Sequence, residues 1–296
     1  MWQRRLRFSI RRTVEFRLAR AIGPAIGPFA RPGLGLSLCL GLALATTAHA
    51  DEVTVAVAAN FLLPLESLAA EFESTTGHDV AISPGSTGQL YAQIVNGAPF
   101  DVLLAADAER PRLLAESGLG DADTRFTYAL GRLALWSRDP ALVDDALLER
   151  LGDLDFRFLA IAEPAIAPYG AAARETLESL GLWELFTADS RIVRGQSIAQ
   201  TFAMIETRNA ELGFIALSQA VAYDGDASWA VVAPERHAPI RQDAILLVRA
   251  SGSPAARQFL DFLRSPAAAA IIESFGYGIP ASANPASANP ATENQR

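Results

Sequence analysis

The sequence predicts an α/β protein built as two lobes, with the first lobe assembled from both ends of the chain. Three observations predict this. From Val53 onward, short apolar runs alternate with amphipathic stretches, as in α/β folds. The rhythm changes between Phe126 and Leu130, where a second set of strands and helices begins. A late apolar run, Asp243 to Val248, is expected to return to the first sheet. The chain should therefore cross between lobes twice, near residues 127–131 and 237–242. The expected division is 51–129 and 240–280 for the first lobe and 130–239 for the second.

The elements follow in order. Val53 to Val57 reads as a buried strand. Leu62 to Ser74 reads as a helix, with Leu65, Leu68, Ala69 and Phe72 on one face and Pro64 in the first turn. Val80 to Ile82 is a second strand, Gln89 to Val95 a short helix, and Asp101 to Ala105 a third strand. Asp107 is placed to cap a helix running through Leu114. In the second lobe, strands are expected at Leu133 to Trp136, Phe158 to Ala162, Arg191 to Val193 and Leu212 to Leu217. Helices are expected at Ala171 to Leu180 and Ile198 to Thr207. Helices at Ala255 to Leu263 and Pro266 to Phe275 should pack on the returning strand. Residues 281–296 repeat Ala-Ser-Ala-Asn-Pro without apolar period and are expected to be disordered.

The N-terminus reads as an export signal. Eight arginines lie between Arg4 and Arg31 against one acid, Glu15. An apolar stretch from Leu34 to Ala45 follows, then Ala48-His49-Ala50 with small residues at the −3 and −1 positions of a cleavage site after about Ala50. The expected leader is residues 1–50. The expected destination is the periplasm. Cys39, the only cysteine, falls inside the leader, so residues 51–296 offer no disulfide, thiol nucleophile or cysteine metal site.

The chain has 25 basic and 33 acidic residues and no lysine. Without residues 1–50 it keeps 17 arginines and 32 acids, a net charge of −15 with histidine neutral. That disfavours nucleic acid and anionic membrane as partners. An anion would not be steered here by global charge, so any anion site must work through local dipoles and hydrogen bonds.

Four strand-to-helix junctions could make such a site: Ala58-Ala59-Asn60-Phe61, Gly85-Ser86-Thr87-Gly88, Ala167-Pro168-Tyr169-Gly170 and Gly195-Gln196-Ser197-Ile198. Helix N-termini present unpaired peptide N–H groups and the positive end of the helix dipole. Ligands of open α/β sheets collect at the carboxyl ends of strands. Each junction singly also reads as an ordinary helix cap, with Asn60, Ser86 or Thr87, and Ser197 as capping residues. Tyr169 alone reads as a packing residue, and Ile198 can offer only its peptide N–H. Arg194 and Arg241 are the nearest cations, and read as salt-bridging residues. His78 and His237 lack metal-ligand spacing, and Asp107 with Glu109 reads as a helix cap and first-turn acid.

The ordered set of motifs resembles the periplasmic molybdate-binding proteins. Val57-Ala58-Ala59-Asn60-Phe61, Gly85-Ser86-Thr87-Gly88, Gly97-Ala98-Pro99-Phe100-Asp101-Val102 and Ala105-Ala106-Asp107 match the N-terminal lobe. Ala167-Pro168-Tyr169-Gly170, Leu212 to Leu217, and Phe259 to Gly278 match the rest. The resemblance implies a type II-like periplasmic-binding-protein architecture with the ligand cleft between the lobes. It implies an oxyanion held by Asn60, Ser86 or Thr87, Tyr169 and the Ile198 amide, without charged side chains. The metal would be bound only inside the molybdate or tungstate oxyanion, with no direct protein–metal ligand and no cofactor. Ala216 stands where many members carry a tyrosine, and Tyr169 stands where those members carry a small residue. Asn60 replaces a serine common in the family, and its amide has two hydrogens to donate.

The function this implies is capture of molybdate or tungstate by hinge closure and delivery to an ABC permease and its ATPase, by a monomer. A tetrahedral dianion offers only acceptors, so a site made wholly of donors suits it. One rival is a receptor for sulfate or phosphate. Another is an exported α/β hydrolase, which the sequence opposes: it has no Gly-x-Ser-x-Gly elbow and no nucleophile–base–orienter set.

Overall fold

The computed structural model describes residues 51–280. The leader expected over residues 1–50 and the tail expected over 281–296 lie outside the described residues. In chain order the first elements are β1 (Glu52–Ala58), α1 (Leu62–Thr76), β2 (Asp79–Gly85), α2 (Thr87–Val95), β3 (Val102–Leu104), α3 (Glu109–Glu116) and β4 (Phe126–Gly131). Next come β5 (Leu133–Ser137), β6 (Leu159–Ala162), α4 (Pro168–Ser179), α5 (Trp183–Ala188), β7 (Ile192–Gly195), α6 (Ile198–Glu206), β8 (Leu212–Ala216), α7 (Leu217–Val221) and β9 (Ser228–Val231). The last are β10 (Ile240–Leu246), α8 (Pro254–Leu263) and α9 (Pro266–Ser274).

Two sheets of five strands result, in the orders β2-β1-β3-β10-β4 and β7-β6-β8-β5-β9. The orders correspond position by position. Each sheet has three parallel strands, then an antiparallel strand, then an antiparallel partner of that one. The chain leaves the first sheet at Gly131 and enters the second at Leu133, so a single residue, Arg132, makes the first crossover. It returns between β9 and β10. β10 begins at Ile240, so residues 240–242, read from sequence as crossover, are already strand.

Helices cover both faces of each sheet, which explains the continuous apolar character of the strands. Val53, Val55 and Val57 of β1 pack with Phe61, Leu65, Leu68 and Phe72. Ala56 faces the opposite core, with Leu90, Ile94 and Leu103. Phe72 meets Phe259 of α8 edge-on, with ring centroids 5.3 Å apart, so the C-terminal helices close the core that the N-terminal strands begin. In the second lobe Trp136 of β5 packs on Phe202 of α6 at 5.0 Å. Full burial of each such ring contributes roughly 1.5–3 kcal/mol.

β10 and β4 do not pair evenly. Gln242 faces Ala129 but Asp243 faces Thr127, a bulge that leaves Tyr128 as the extra residue. Bulges re-aim side chains, and this one carries several polar groups into the interior. The Asp243 carboxylate accepts from Thr127 Oγ1 at 2.7 Å and pairs with Arg125 at 3.0 Å. Gln242, also buried, accepts from the Asn60 side-chain amide at 2.8 Å.

Candidate functional site

The four junctions predicted from sequence fall at equivalent places in the two sheets. Asn60 follows β1, Ser86 and Thr87 follow β2, Tyr169 follows β6, and Ile198 follows β7. Each lobe thus presents the carboxyl ends of two adjacent parallel strands to the other. The structure brings Asn60, Ser86, Thr87, Tyr169 and Ile198 around one small cavity, completed by Ala58, Ala59, Gly85, Ala106, Ala167 and Pro168. The five are between 1% and 4% exposed, so the cleft is shut over them. A larger hollow, between Ser137 and Leu212, shares no residue with the junctions.

The cavity wall sets hydroxyls and helix-start residues among small apolar ones. Ser86 has the extended backbone of a helix N-cap, and Gln89 Oε1 reaches back toward its N–H at 3.5 Å. Yet its own hydroxyl is buried and meets no hydrogen-bonding partner among the described residues. A buried hydroxyl left so costs roughly 1–3 kcal/mol. Thr87 Oγ1 accepts from the Ala106 N–H at 3.0 Å, which leaves the hydroxyl proton to donate elsewhere. Ile198 is the first residue of α6, and Ser197 before it caps the helix by accepting from the Gln200 N–H at 3.3 Å. The Ile198 peptide N–H therefore has no acceptor inside its own helix.

Tyr169 sits in the first turn of α4, and burial pushes its phenol well above the usual tyrosine range, with the Tyr277 phenol adding to the effect. It remains a neutral donor at physiological pH. Its oxygen lies 3.5 Å from Gln242 Nε2, a long contact.

Asn60 differs from its sequence expectation. Its side-chain amide gives both hydrogens to the protein, to Gln242 Oε1 at 2.8 Å and to the Tyr277 hydroxyl at 3.0 Å. Its peptide N–H lies in the 3-10 turn Ala59–Phe61 that precedes α1. Behind it lies a buried polar network. The Asn60 carbonyl accepts from the Tyr277 hydroxyl at 2.7 Å and from Ser218 Oγ at 2.9 Å. Ser218 belongs to the second lobe, so the network ties the lobes together. Gln242 was not anticipated from sequence, because it lies in a segment read as crossover. Tyr277 was visible only within the resemblance.

No charged side chain lines the cavity. Arg194 is exposed, 3.9 Å from Glu163, and Arg241 is exposed and donates to Thr127 Oγ1 at 3.2 Å. Asp107 accepts from the Arg110 N–H at 2.8 Å as a helix cap and pairs with the Arg110 guanidinium at 3.0 Å. Burial raises its pKa, and Arg110 partly offsets that.

Residues 53–278 match the model of the bacterial extracellular solute-binding protein family. The chain belongs to that family. This solute-binding protein is 46% identical over 256 residues to the molybdate-binding protein ModA of Azotobacter vinelandii, covering 85% of this chain and 99% of that one. It is 46% identical over 244 residues to ModA of Rhodobacter capsulatus, covering 82% and 93%. Its fold is similar to the solved periplasmic molybdate-binding protein of Azotobacter vinelandii, with a TM-score of 0.73 and 41% identity over 77% of this chain and 99% of that one. The two-lobe architecture of periplasmic binding proteins is therefore the architecture of this solute-binding protein. Membership places it among transport receptors, not enzymes, and the hydrolase rival falls away.

Proposed function

We propose that this receptor captures molybdate or tungstate in the periplasm and hands it to an ABC permease driven by its ATPase. The observation that carries the proposal is the Ser86 hydroxyl, buried in the interlobe cavity with no partner among the described residues. A bound oxyanion supplies the acceptor it lacks. Thr87 Oγ1, the Tyr169 phenol and the peptide N–H groups of Asn60 and Ile198 complete an all-donor shell. Neutral donors suit a cargo that must be released, whereas an arginine clamp would hold it more tightly through charge-assisted bonds. A smaller ion such as sulfate leaves some donors unpaired in a rigid closed cavity, which costs affinity.

Supporting this reading are the 46% identical relatives, named as molybdate-binding proteins over nearly their whole length. Residues 1–50 are the export leader in this scheme, cleaved after about Ala50. The lobe boundary expected at residues 129/130 moves to Arg132, because β4 runs to Gly131: residues 51–131 with 240–280 form one lobe and 133–239 the other. The receptor works as a monomer, its lobes closing as the ligand selects the better-fitting closed state.

One calorimetric experiment tests it: titration of the purified protein with molybdate, tungstate, sulfate and phosphate. Molybdate and tungstate should each bind at least about a hundredfold more tightly than sulfate, roughly 2.7 kcal/mol. Equal affinity for sulfate or phosphate would overturn the assignment.

A further inference from the structure

Gly88 is the second residue of α2, one step beyond the two cavity hydroxyls. The first N–H groups of a helix have no acceptor within it. The Gly88 N–H finds one in the opposite lobe, donating to the Ile166 carbonyl at 2.9 Å. Ile166 lies in the loop that leads into α4 and Tyr169. This bond therefore joins the lobes beside the place where Ser86, Thr87 and Tyr169 meet.

The approach leaves no room for a side chain. A Cβ on Gly88 would stand 2.9 Å from Ile166 Cα and 3.0 Å from both its Cβ and its carbonyl oxygen. Two of these neighbours are main chain and the third is the root of a branched side chain, so no rotamer relieves the contact. All three of these nearest atoms belong to the other lobe. Gly88 does not adopt the left-handed backbone that would by itself require glycine. Alanine in its place fits α2 and favours the helix. Arg110 Nη2 also reaches this loop, donating to the Ala165 carbonyl at 3.2 Å, but a long, half-buried arginine side chain can follow a moving lobe. A peptide-to-peptide bond cannot.

We propose that Gly88 sets how far the cleft closes, its missing side chain letting the first turn of α2 latch onto the Ile166 carbonyl. This rests on the oxyanion-receptor reading and adds the position that limits closure. Gly88→Ala holds the lobes apart while leaving each lobe intact.

The test compares wild type with Gly88→Ala in three measurements: ligand-free melting temperature, molybdate binding, and radius of gyration by small-angle scattering at saturating molybdate. The expected result is an unchanged or raised melting temperature with at least tenfold weaker binding, carried mostly by faster dissociation. The variant's radius should stay near its ligand-free value while the wild type contracts. Hydrogen exchange in the wild type gives a check that needs no variant: the Gly88 amide should gain protection when molybdate binds. Equal affinity and equal contraction in the two proteins would overturn the latch, as would a Gly88 amide indifferent to ligand. A melting temperature lowered in proportion to binding would instead make Gly88 a folding position. A wild type that ignores molybdate would bring down the receptor reading itself, and the latch with it.

Discussion

The hydroxyl of Tyr169 occupies the space that a side chain at Gly131 would need. Gly131 ends β4, one residue before the crossover to the second lobe, and Ile240 crowds the same spot at 3.0 Å. The phenol of one lobe is thus seated against bare backbone of the other. Gly131→Ala should displace it. If Tyr169 donates to the anion, Tyr169→Phe loses a hydrogen bond to a charged acceptor, about 1.5–3 kcal/mol, or one to two decades in Kd. Gly131→Ala should cost a comparable amount in wild type and much less in the Tyr169→Phe background. A double-mutant cycle by calorimetry measures this, and strict additivity would separate Gly131 from the phenol.

Ser86→Ala should split stability from binding. Removing a buried hydroxyl without a partner should leave the ligand-free melting temperature unchanged or raise it. The same change should weaken molybdate binding by about 1.5–3 kcal/mol, because an oxygen of the dianion loses its donor. Thermal melts with and without molybdate check both signs. A lowered ligand-free melting temperature would return Ser86 to the role of a plain helix cap.

Affinity should be flat with pH from neutrality to about pH 10. No carboxylate, histidine or arginine lines the cavity, and burial holds the Tyr169 phenol above its ordinary range. A phenol whose pKa is raised keeps its proton, and so its power to donate, through the ordinary tyrosine value. Only above that would a phenolate appear and repel the dianion. Titrations between pH 7 and pH 10 check this, and a fall centred near neutrality would mean that an ionising group reaches the ligand.

Salt should speed association. Residues 51–296 carry a net charge of −15, so the protein's long-range field opposes an incoming dianion. Raising the salt from about 0.01 M to about 0.1 M shortens the screening length from roughly 30 Å to roughly 10 Å. Stopped-flow measurement should show a larger association rate constant and a dissociation rate that hardly moves. Slower association at high salt would point to a positive entrance that overrides the net charge.

The sequence made most of the fold legible where burial alone determines the pattern. Val53 to Val57 and Leu212 to Leu217 are covered on both faces, and a parallel strand so placed reads as an unbroken apolar run. The missed parts follow other rules. Ile240, Arg241 and Gln242 precede the predicted start of the strand at Asp243, and only their pairing with β4 and the contact of Gln242 with Asn60 make that polar stretch part of β10. α5 and β9 were not anticipated. They are short, and β9 is an edge strand with Trp229 and Val231 exposed.

The site was legible as four junctions, because helix starts carry residues of recognisable type. The direction of a side chain was not. Whether Asn60 turns its amide toward the cavity or toward Gln242 and Tyr277 depends on residues about 180 and 217 positions away. Nothing local at Asn60 encodes it.

The repeated strand order of the two sheets has a consequence for the shape of the cargo. On the proposed reading, two strand-to-helix junctions in each lobe face the anion, so the site addresses a particle with four corners, two for each jaw. A tetrahedron has such pairs as opposite edges. A flat, three-cornered anion such as nitrate can offer one edge and a single remaining corner, so one grip in one jaw always stays idle. Among anions of suitable size, a tetrahedral outline is then the one that should draw the jaws fully together.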